Sequence, residues 1–168
     1  MAKNMLILYY SWSNGNTEII AGRLREASGA DMERIDTAQP YEGTYEEVVA
    51  EGKRQIETGE TPAIRPLSHR PEDYDIIAVG TPTWWYTMAP AVRTLLSEHD
   101  WRGKILIPFQ THAGWPGHAL KDMERAAQGA QIACSMQVQF DAEGGAQQVT
   151  AEADVAAWAA KAAALRSE

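Results

Sequence analysis

Residues 3–27 read KNMLILYYSWSNGNTEIIAGRLREA, an apolar run followed by polar residues and then a helical pattern. Its first part, Lys3–Tyr10, is nearly all apolar, as expected of a β-strand that is buried on both faces of a sheet. Its last part, Thr17–Ala27, carries apolar side chains at helical spacing, and Gly29 follows where the helix can end. A buried strand, a polar turn and an amphipathic helix in this order are typical of a parallel α/β sheet.

The same alternation of strand and helix continues through the rest of the chain. Two further apolar runs predict central strands, and two runs of mixed character predict strands at the sheet edges. The four predicted strands that follow the first are Asp31–Asp36, Asp75–Gly80, Lys104–Phe109 and Cys134–Phe140. Apolar side chains at helical spacing predict four further helices, within 45–56, 92–96, 120–127 and 151–165.

These elements predict an α/β fold, a three-layer sandwich in which helices cover both faces of a five-stranded parallel sheet of order 2-1-3-4-5. We expect a single domain over residues 1–168, because a chain of this length holds about one domain. Pro108 fits least well, since a proline removes a hydrogen bond from the ladder of an interior strand. We expect it either at the end of its strand or on a bulge.

The charge balance excludes several classes of partner. Lys and Arg total 15 and Asp and Glu total 23, so the formal net charge is −8. The chain therefore lacks the excess of basic groups that binds nucleic acid or an anionic membrane surface, and we expect neither partner. The longest apolar run, residues 5–10, is too short to span a membrane, and no small-residue cleavage site of a signal peptide follows it.

Cysteine usage points to a reducing compartment. Cys134 is the only cysteine, so the chain forms no internal disulfide and builds no cysteine-based metal cluster. We therefore expect a cytoplasmic protein without a metal site.

Ligands of such sheets bind outside the carboxyl ends of the strands, where the strand order reverses. The first segment at this place is rich in hydroxyl and amide groups and consists of Ser11, Trp12, Ser13, Asn14, Gly15, Asn16 and Thr17. Its backbone N–H groups, its hydroxyls and the following helix N-terminus are suited to wrap a phosphate. It contains no Lys, Arg or Cys and no GxGxxG pattern, which excludes a nucleotide P-loop, a cysteine phosphatase loop and a dinucleotide fingerprint. The plainer alternative is a helix N-cap at Asn16 or Thr17.

The second segment, Gly80–Met88, contains three consecutive aromatic residues. They cannot all belong to the core, because the chain leaves the sheet here, and a flat conjugated ligand would stack on their rings. The plainer alternative is a hydrophobic plug under a neighbouring loop. The expected ligand contacts in this segment are Pro82, Thr83, Trp84, Trp85 and Tyr86.

The third segment, Thr111–His118, contains two glycines that let the backbone approach a ligand closely. Either a ligand contact or a surface position suits His112, whereas we expect His118 at the surface. The expected ligand contacts in this segment are Thr111, His112, Ala113, Gly114 and Gly117. The three segments together are expected to surround one crevice with phosphate-binding groups, aromatic rings and a glycine-rich backbone. Such a crevice suits a phosphorylated planar cofactor without an adenylate half, and FMN fits best.

The stretches YYSWSNGNT, GTPTWWYTMAPAV and THAGWPG resemble the flavodoxin family, in particular bacterial flavodoxin-like proteins with a Thr-Pro-Thr-Trp-Trp flavin loop. The resemblance covers essentially the whole chain. Phosphate loops of the family usually read Ser/Thr-x-Thr-Gly-x-Thr or Ser/Thr-x-Ser-Gly-Asn-Thr. The matching residues here are Ser11, Ser13, Gly15, Asn16 and Thr17, with Asn14 as an extra residue. The resemblance implies a short-chain flavodoxin that holds FMN without a covalent bond and transfers electrons.

Two redox functions on this fold stay open. The first is an electron carrier whose acidic surface docks onto redox partner proteins with basic docking surfaces, although solubility alone would also account for the acidic charge. In that case the flavin supplies the chemistry, the protein sets its potential, and we expect no catalytic side chain. Burial against aromatic rings and the net charge of −8 predict a low potential for the last electron.

The second function is an NAD(P)H-dependent quinone or nitro-compound reductase that uses FMN. Arg65, His69 and Arg70 in the longest loop are the only basic cluster that could reach a dinucleotide, although a solvated loop is the stronger interpretation of these residues. We favour the carrier, because the three cofactor segments contain no cation for a dinucleotide phosphate. A receiver-type signalling domain is disfavoured, because such domains need acidic residues at strand ends and Asp75 begins a strand.

Overall fold

The computed structural model describes residues 2–168, which form one sheet flanked by five α-helices. The strands are β1 (Met5–Tyr9), β2 (Asp31–Arg34), β3 (Ile76–Trp84), β4 (Thr87–Met88), β5 (Ile105–His112), β6 (Gln131–Ile132) and β7 (Met136–Gln139). The helices are α1 (Asn16–Ser28), α2 (Tyr45–Thr58), α3 (Pro90–Glu98), α4 (Ala119–Ala126) and α5 (Glu152–Ala164).

The sheet has the predicted topology with two additions. The parallel strands lie in the order β2-β1-β3-β5, and β6 and β7 both pair with the outer edge of β5. The predicted order 2-1-3-4-5 is therefore confirmed, with β6 and β7 sharing the fifth position. The sheet has seven strands instead of five, because the fifth is interrupted and because β4 folds back antiparallel onto the end of β3.

The interruption of the fifth strand accommodates Pro108. Leu106 pairs with the last residue of β6 and Phe109 with the first residue of β7, so residues 133–135 face only two residues of β5. Cys134 takes a left-handed conformation, with φ 51°, in this extra stretch. The carbonyl of Leu106 accepts a hydrogen bond from the N–H of Ala133, so the backbone of Leu106 faces the interrupted strand. Backbone groups of alternate residues point to the same neighbouring strand, so the nitrogen of Pro108 faces it as well. The proline thus lies opposite a bulge, where its missing N–H costs no ladder hydrogen bond.

Two central strands extend further than the sequence pattern predicts. We expected strand ends at Gly80 and Phe109, but β3 continues to Trp84 and β5 to His112. Gly80 is a packing residue, because a Cβ at this position would lie 2.3 Å from the ring of Phe109, its cross-strand neighbour. The glycine that suggested a turn is therefore required inside the sheet.

Alternate side chains of β1 enter two separate cores, as a strand buried on both faces requires. Met5, Ile7 and Tyr9 pack with α1 and α5 on one face. On the other face, Leu6 and Leu8 pack with α3 and α4. Helices therefore cover both faces of the central strands and leave their carboxyl ends at one edge of the sheet.

Within residues 2–168, none of the helices is long and apolar enough to cross a membrane. The same residues contain no group of three or more His, Cys, Asp or Glu side chains placed to hold a metal ion. Cys134 is a free thiol that is half-buried against the core.

Candidate functional site

A cavity of about 300 Å³ lies at the carboxyl ends of β1, β3 and β5. All three predicted segments contribute to it, together with the first half of α2 and the chain that follows β7. The predicted residues that line it are Trp12, Ser13, Asn14, Asn16, Thr17, Pro82, Thr83, Trp84, Trp85, Thr111, His112 and Ala113. The predicted residues that lie outside its lining are Ser11, Gly15, Tyr86, Gly114 and Gly117.

The first segment forms a concave run of backbone N–H groups. Ser13 and Gly15 both take left-handed conformations, with φ 62° and 76°, and α1 begins directly afterwards. Within residues 2–168, the N–H groups of Ser13, Asn14, Asn16 and Thr17 donate to no protein carbonyl. Unpaired N–H groups at a helix N-terminus form a site for an anion. The N-cap residue of α1 is Gly15, which has no side chain, so Asn16 and Thr17 lie in the first turn of the helix and are not its N-cap.

The guanidinium of Arg34 contacts the backbone at the start of this segment. Arg34, on β2, donates a hydrogen bond from its guanidinium to the carbonyl of Ser11. The buried Ser11 hydroxyl in turn accepts the N–H of Glu18 at 3.3 Å. The segment itself contains no Lys or Arg, and the charge of Arg34 is balanced by Asp36 at 2.8 Å and Glu18 at 3.9 Å, so Arg34 acts here as a hydrogen-bond donor.

Three hydroxyl groups that line the cavity are linked by hydrogen bonds, and a buried amide outside the lining supports one of them. The hydroxyls of Thr17 and Thr111 lie 2.8 Å apart, and Thr83 donates to the carbonyl of Thr111 at 2.9 Å. Gln110 is fully buried and donates from Nε2 to the Thr83 hydroxyl at 2.7 Å and to the carbonyl of Pro116 at 3.1 Å. Gln110 was not predicted, although a Gln within the apolar run IPFQT is an unusual strand residue. It ties the second and third segments together.

The second segment is a tight hairpin with an unusual turn. Thr83 pairs with Met88, and Trp84 pairs with Thr87, so Trp85 and Tyr86 alone form the turn. Both turn residues have positive φ, 49° and 68°, as a type I′ turn requires. Asn and Gly are the usual residues there, and two aromatic side chains cost about 1–2 kcal/mol each in this conformation.

The third segment holds the strained turn in place. The N–H of His118 donates to the carbonyl of Tyr86 at 2.8 Å. Gly117 lies so close that a Cβ there would be 2.2 Å from this carbonyl oxygen. Thr87 donates to the carboxylate of Asp122 on α4 at 2.5 Å. Gly117 and Tyr86 thus shape the hairpin from outside the cavity, and His118 lies at the surface as expected.

Trp84 and Trp85 form the aromatic wall, whereas Tyr86 points outside it and is 54% exposed. Trp84 is half-buried and makes edge contacts with Tyr10, Trp12 and Tyr41 at centroid distances of 5.4–5.7 Å. The Trp85 indole N–H donates to a carbonyl of α2 at 3.3 Å. Two of the three consecutive aromatics therefore face the cavity.

Sequence reasoning missed the contribution of α2. Tyr45 stacks on Trp12, with centroids 5.5 Å apart and an interplanar angle of 25°, and Val48 and Val49 also line the cavity. Gly52, inside the same helix, would place a Cβ 2.8 Å from the Trp84 ring. A glycine within a helix costs about 1 kcal/mol relative to alanine, so it was the available signal of close packing here.

The other missed element is residues 141–147, which we call the strap. Asp141 accepts the N–H groups of Gly145 and Gln147 at 2.8 and 2.9 Å, and these bonds hold the pKa of its carboxyl below the usual range. Asn14 donates from its amide to the carbonyl of Gly144, and Asn16 donates to that of Gly145 at 3.0 Å. Asn14, the extra residue of the first segment, is thus hydrogen-bonded to the strap.

His112 is held as one tautomer. Its Nδ1 accepts the N–H of Gly114 at 3.0 Å, so the neutral ring carries its proton on Nε2. Burial lowers the pKa of His112 below the ordinary value of 6.5. His112 lines the cavity, and its remaining N–H donor in the neutral form is Nε2.

The predicted basic cluster does not reach the cavity. Arg65, His69 and Arg70 line a separate groove, and His69 bonds to Glu33 on β2 at 2.7 Å. None of the cavity-lining residues within 2–168 is Lys or Arg. At the rim, Lys53 lies 4.7 Å from the centroid of the Trp85 ring.

Several solved structures share this fold, and three of them are flavoproteins or flavodoxins. A flavoprotein from Lactobacillus acidophilus, solved in complex with FMN, is 24% identical over 81% of this chain and 93% of its own, with a TM-score of 0.68. A flavoprotein structure from Bacteroides uniformis is 21% identical over 94% and 98% of the two chains, with a TM-score of 0.75. A WrbA-like flavodoxin from Agrobacterium tumefaciens is 15% identical over 99% and 96%, with a TM-score of 0.65.

Sequence comparison gives the family directly. The search of curated protein sequences returned no significant match. The family model for flavodoxin, however, matches residues 4–161, which include all three segments of the cavity and the strap. The resemblance inferred from the motifs is confirmed, and the chain belongs to the flavodoxin family.

Proposed function

We propose that the protein binds FMN in the cavity at the strand ends and transfers electrons as a carrier. One observation carries this proposal: a nest of unpaired N–H groups and an aromatic wall face the same cavity. A ligand with a phosphate at one end and a planar ring at the other would contact both the N–H groups and the aromatic wall. The relative from Lactobacillus acidophilus, which holds FMN, supports the choice of cofactor.

The residues at the phosphate end fit the group. Unpaired N–H groups of Ser13, Asn14, Asn16 and Thr17 provide donors, and the N-terminus of α1 provides a partial positive charge. The Oδ1 atom of Asn16 is a buried acceptor without a protein partner. A hydroxyl of the ribityl chain is a donor of the kind that this atom requires.

The residues at the ring end also fit. Trp84 and Trp85 present indole surfaces on which a flavin ring stacks, and Val49 adds an apolar contact. When bound, FMN supplies the electron-accepting and electron-donating chemistry. The chain contacts the ring through these side chains, and its net charge of −8 disfavours further negative charge on the ring. We expect a low potential for that reason.

The mouth of the cavity suits contact with a partner. Trp85, Tyr86 and Trp115 are 43%, 54% and 60% exposed on the second and third segments. Exposed aromatic side chains that cluster at one site mark an interaction surface. We propose that partner proteins with basic docking surfaces meet this rim and are attracted by the acidic chain.

The salt dependence of electron transfer tests the carrier function. Because surface charges are screened over about 8–10 Å at physiological salt, the rate with a basic partner reductase should fall steeply as salt rises. A rate that stays constant from low to physiological salt contradicts docking by charge. The same preparation should show little oxidation of NADPH with quinones.

The reductase is the second candidate, and a second groove favours it. This groove, of about 380 Å³, lies beside β4 and contains Arg93 and Arg125, neither of which forms a salt bridge within residues 2–168. Glu60 and Asp122 line it as well, so its formal charge is balanced. Robust NADPH oxidation that is lost in the Arg93→Ala variant would favour the reductase over the carrier.

A further inference from the structure

The strap closes the end of the cavity at which the N–H nest lies. Asp141, Gly144 and Gly145 of the strap line the same cavity as Ser13 and Asn14. The strap therefore lies next to the groups proposed to hold a phosphate, on a segment about 130 residues further along the chain.

The closure depends on few contacts. Two side-chain amides join the first segment to the strap, from Asn14 to the carbonyl of Gly144 and from Asn16 to that of Gly145. Residues 142–144 are exposed, so little apolar surface is buried by this contact. The Asp141 carboxylate holds the strap's own shape by accepting two of its N–H groups.

We propose that Asn14 is a positioning residue that keeps the strap closed over the phosphate end, so that the strap sets how fast a phosphate-bearing flavin leaves. The proposal rests on the FMN function proposed above. It also explains why the first segment contains one residue more than the family pattern, since that residue is Asn14.

Hydrogen bonds that water can replace contribute little net stability, so the strap opens without unfolding the sheet. A group that covers a bound ligand acts mainly on its dissociation rate. The strap covers the phosphate end, and riboflavin, which lacks the phosphate, depends on the ring end instead.

The test compares Asn14→Ala with Gln137→Ala, which removes an exposed amide on β7 away from the cavity. Dissociation of FMN and of riboflavin is followed by the recovery of flavin fluorescence. Asn14→Ala should speed FMN release roughly three- to tenfold, as expected for one lost hydrogen bond. Riboflavin release should change much less, and Gln137→Ala should match the parent.

A second variant changes a residue of the strap itself. Gly144 has φ 78°, and a Cβ there meets no atom within 4 Å, so Gly144→Ala strains only the strap backbone. It should also speed FMN release. Unchanged FMN release in both variants, or equal acceleration of riboflavin, overturns the proposal. A parent protein that binds no FMN contradicts the proposed function itself, which distinguishes the two failures.

Discussion

The hydroxyl groups of Thr17 and Thr111, two buried residues that line the cavity, lie 2.8 Å apart. Thr17 comes from the start of α1 and Thr111 from the end of β5, so this hydrogen bond joins the first and third segments. Whichever hydroxyl accepts keeps its own proton and can donate it to a third group. The pair thus combines a structural bond with a donor at the proposed phosphate end.

Removing the Thr17 hydroxyl should weaken FMN binding. We expect Thr17→Ala to cost roughly 1–3 kcal/mol of binding free energy, because a charged ligand group loses a donor. Ser13→Ala should act in the same direction, while Thr17→Ser keeps the hydroxyl and should bind much as the parent does. Fluorescence titration with FMN measures all three. If both alanine variants bind like the parent, the segment is a helix cap only.

Gly52 and Gly22 offer a matched pair of helical glycines. Gly22→Ala should stabilise the protein by about 0.5–1 kcal/mol, because a Cβ there meets nothing within 4 Å and alanine favours the helix. Gly52→Ala should lose that gain, because its Cβ would lie 2.8 Å from the Trp84 ring. It should also change flavin quenching by moving Trp84. Thermal unfolding measures the stability of both variants, and flavin fluorescence measures the quenching. Equal stabilisation by the two changes would contradict the close contact between Gly52 and the Trp84 ring.

The strain in the hairpin turn can be measured at Tyr86. Tyr86→Asn and Tyr86→Ala both remove the ring, but asparagine tolerates the left-handed conformation, with φ 68° here, and alanine does not. The asparagine variant should be more stable by about 1 kcal/mol, or a few degrees in Tm. Both variants should bind FMN alike, since Tyr86 lies outside the cavity lining. Equal Tm values would mean that the turn is unstrained.

His112 should make stability depend on pH near neutrality. Burial lowers its pKa in the folded protein, so below the ordinary value of 6.5 the unfolded chain binds a proton that the folded chain resists. Stability should therefore fall as the pH drops through 6.5 toward the folded pKa. Protonation would also break the bond from Gly114 to Nδ1. Denaturant unfolding at pH 7.5 and 5.5 should show a smaller loss for His112→Gln, and an identical loss contradicts this assignment.

The layered fold could be predicted from local patterns, because the composition of each run of residues indicates how deeply its strand is buried. The all-apolar run from Met5 to Tyr10 lies in the centre, and the mixed run at Met32 lies at the edge, as their compositions predict. The strand end expected at Gly80 was wrong, because a glycine required by the Phe109 ring looks locally like one that makes a turn.

The missing parts of the site depend on contacts between distant residues. The Asn14 amide meets the carbonyl of Gly144, and Tyr45 stacks on Trp12, yet neither pair leaves a pattern within its own segment. The three segments themselves were recognisable, because hydroxyl-rich, aromatic and glycine-rich runs at strand ends are unusual in any sequence. Gly52 alone carried a local sign that a large ring packs against α2.

In the proposed site, one cavity binds both the phosphate and the ring of FMN. Titration of the protein with FMN and with riboflavin, followed by flavin fluorescence, separates the two contributions. We predict quenched flavin fluorescence with both ligands, because both reach Trp84 and Trp85, and far weaker binding of riboflavin. Equal affinity for the two flavins, or no quenching by FMN, would contradict the account.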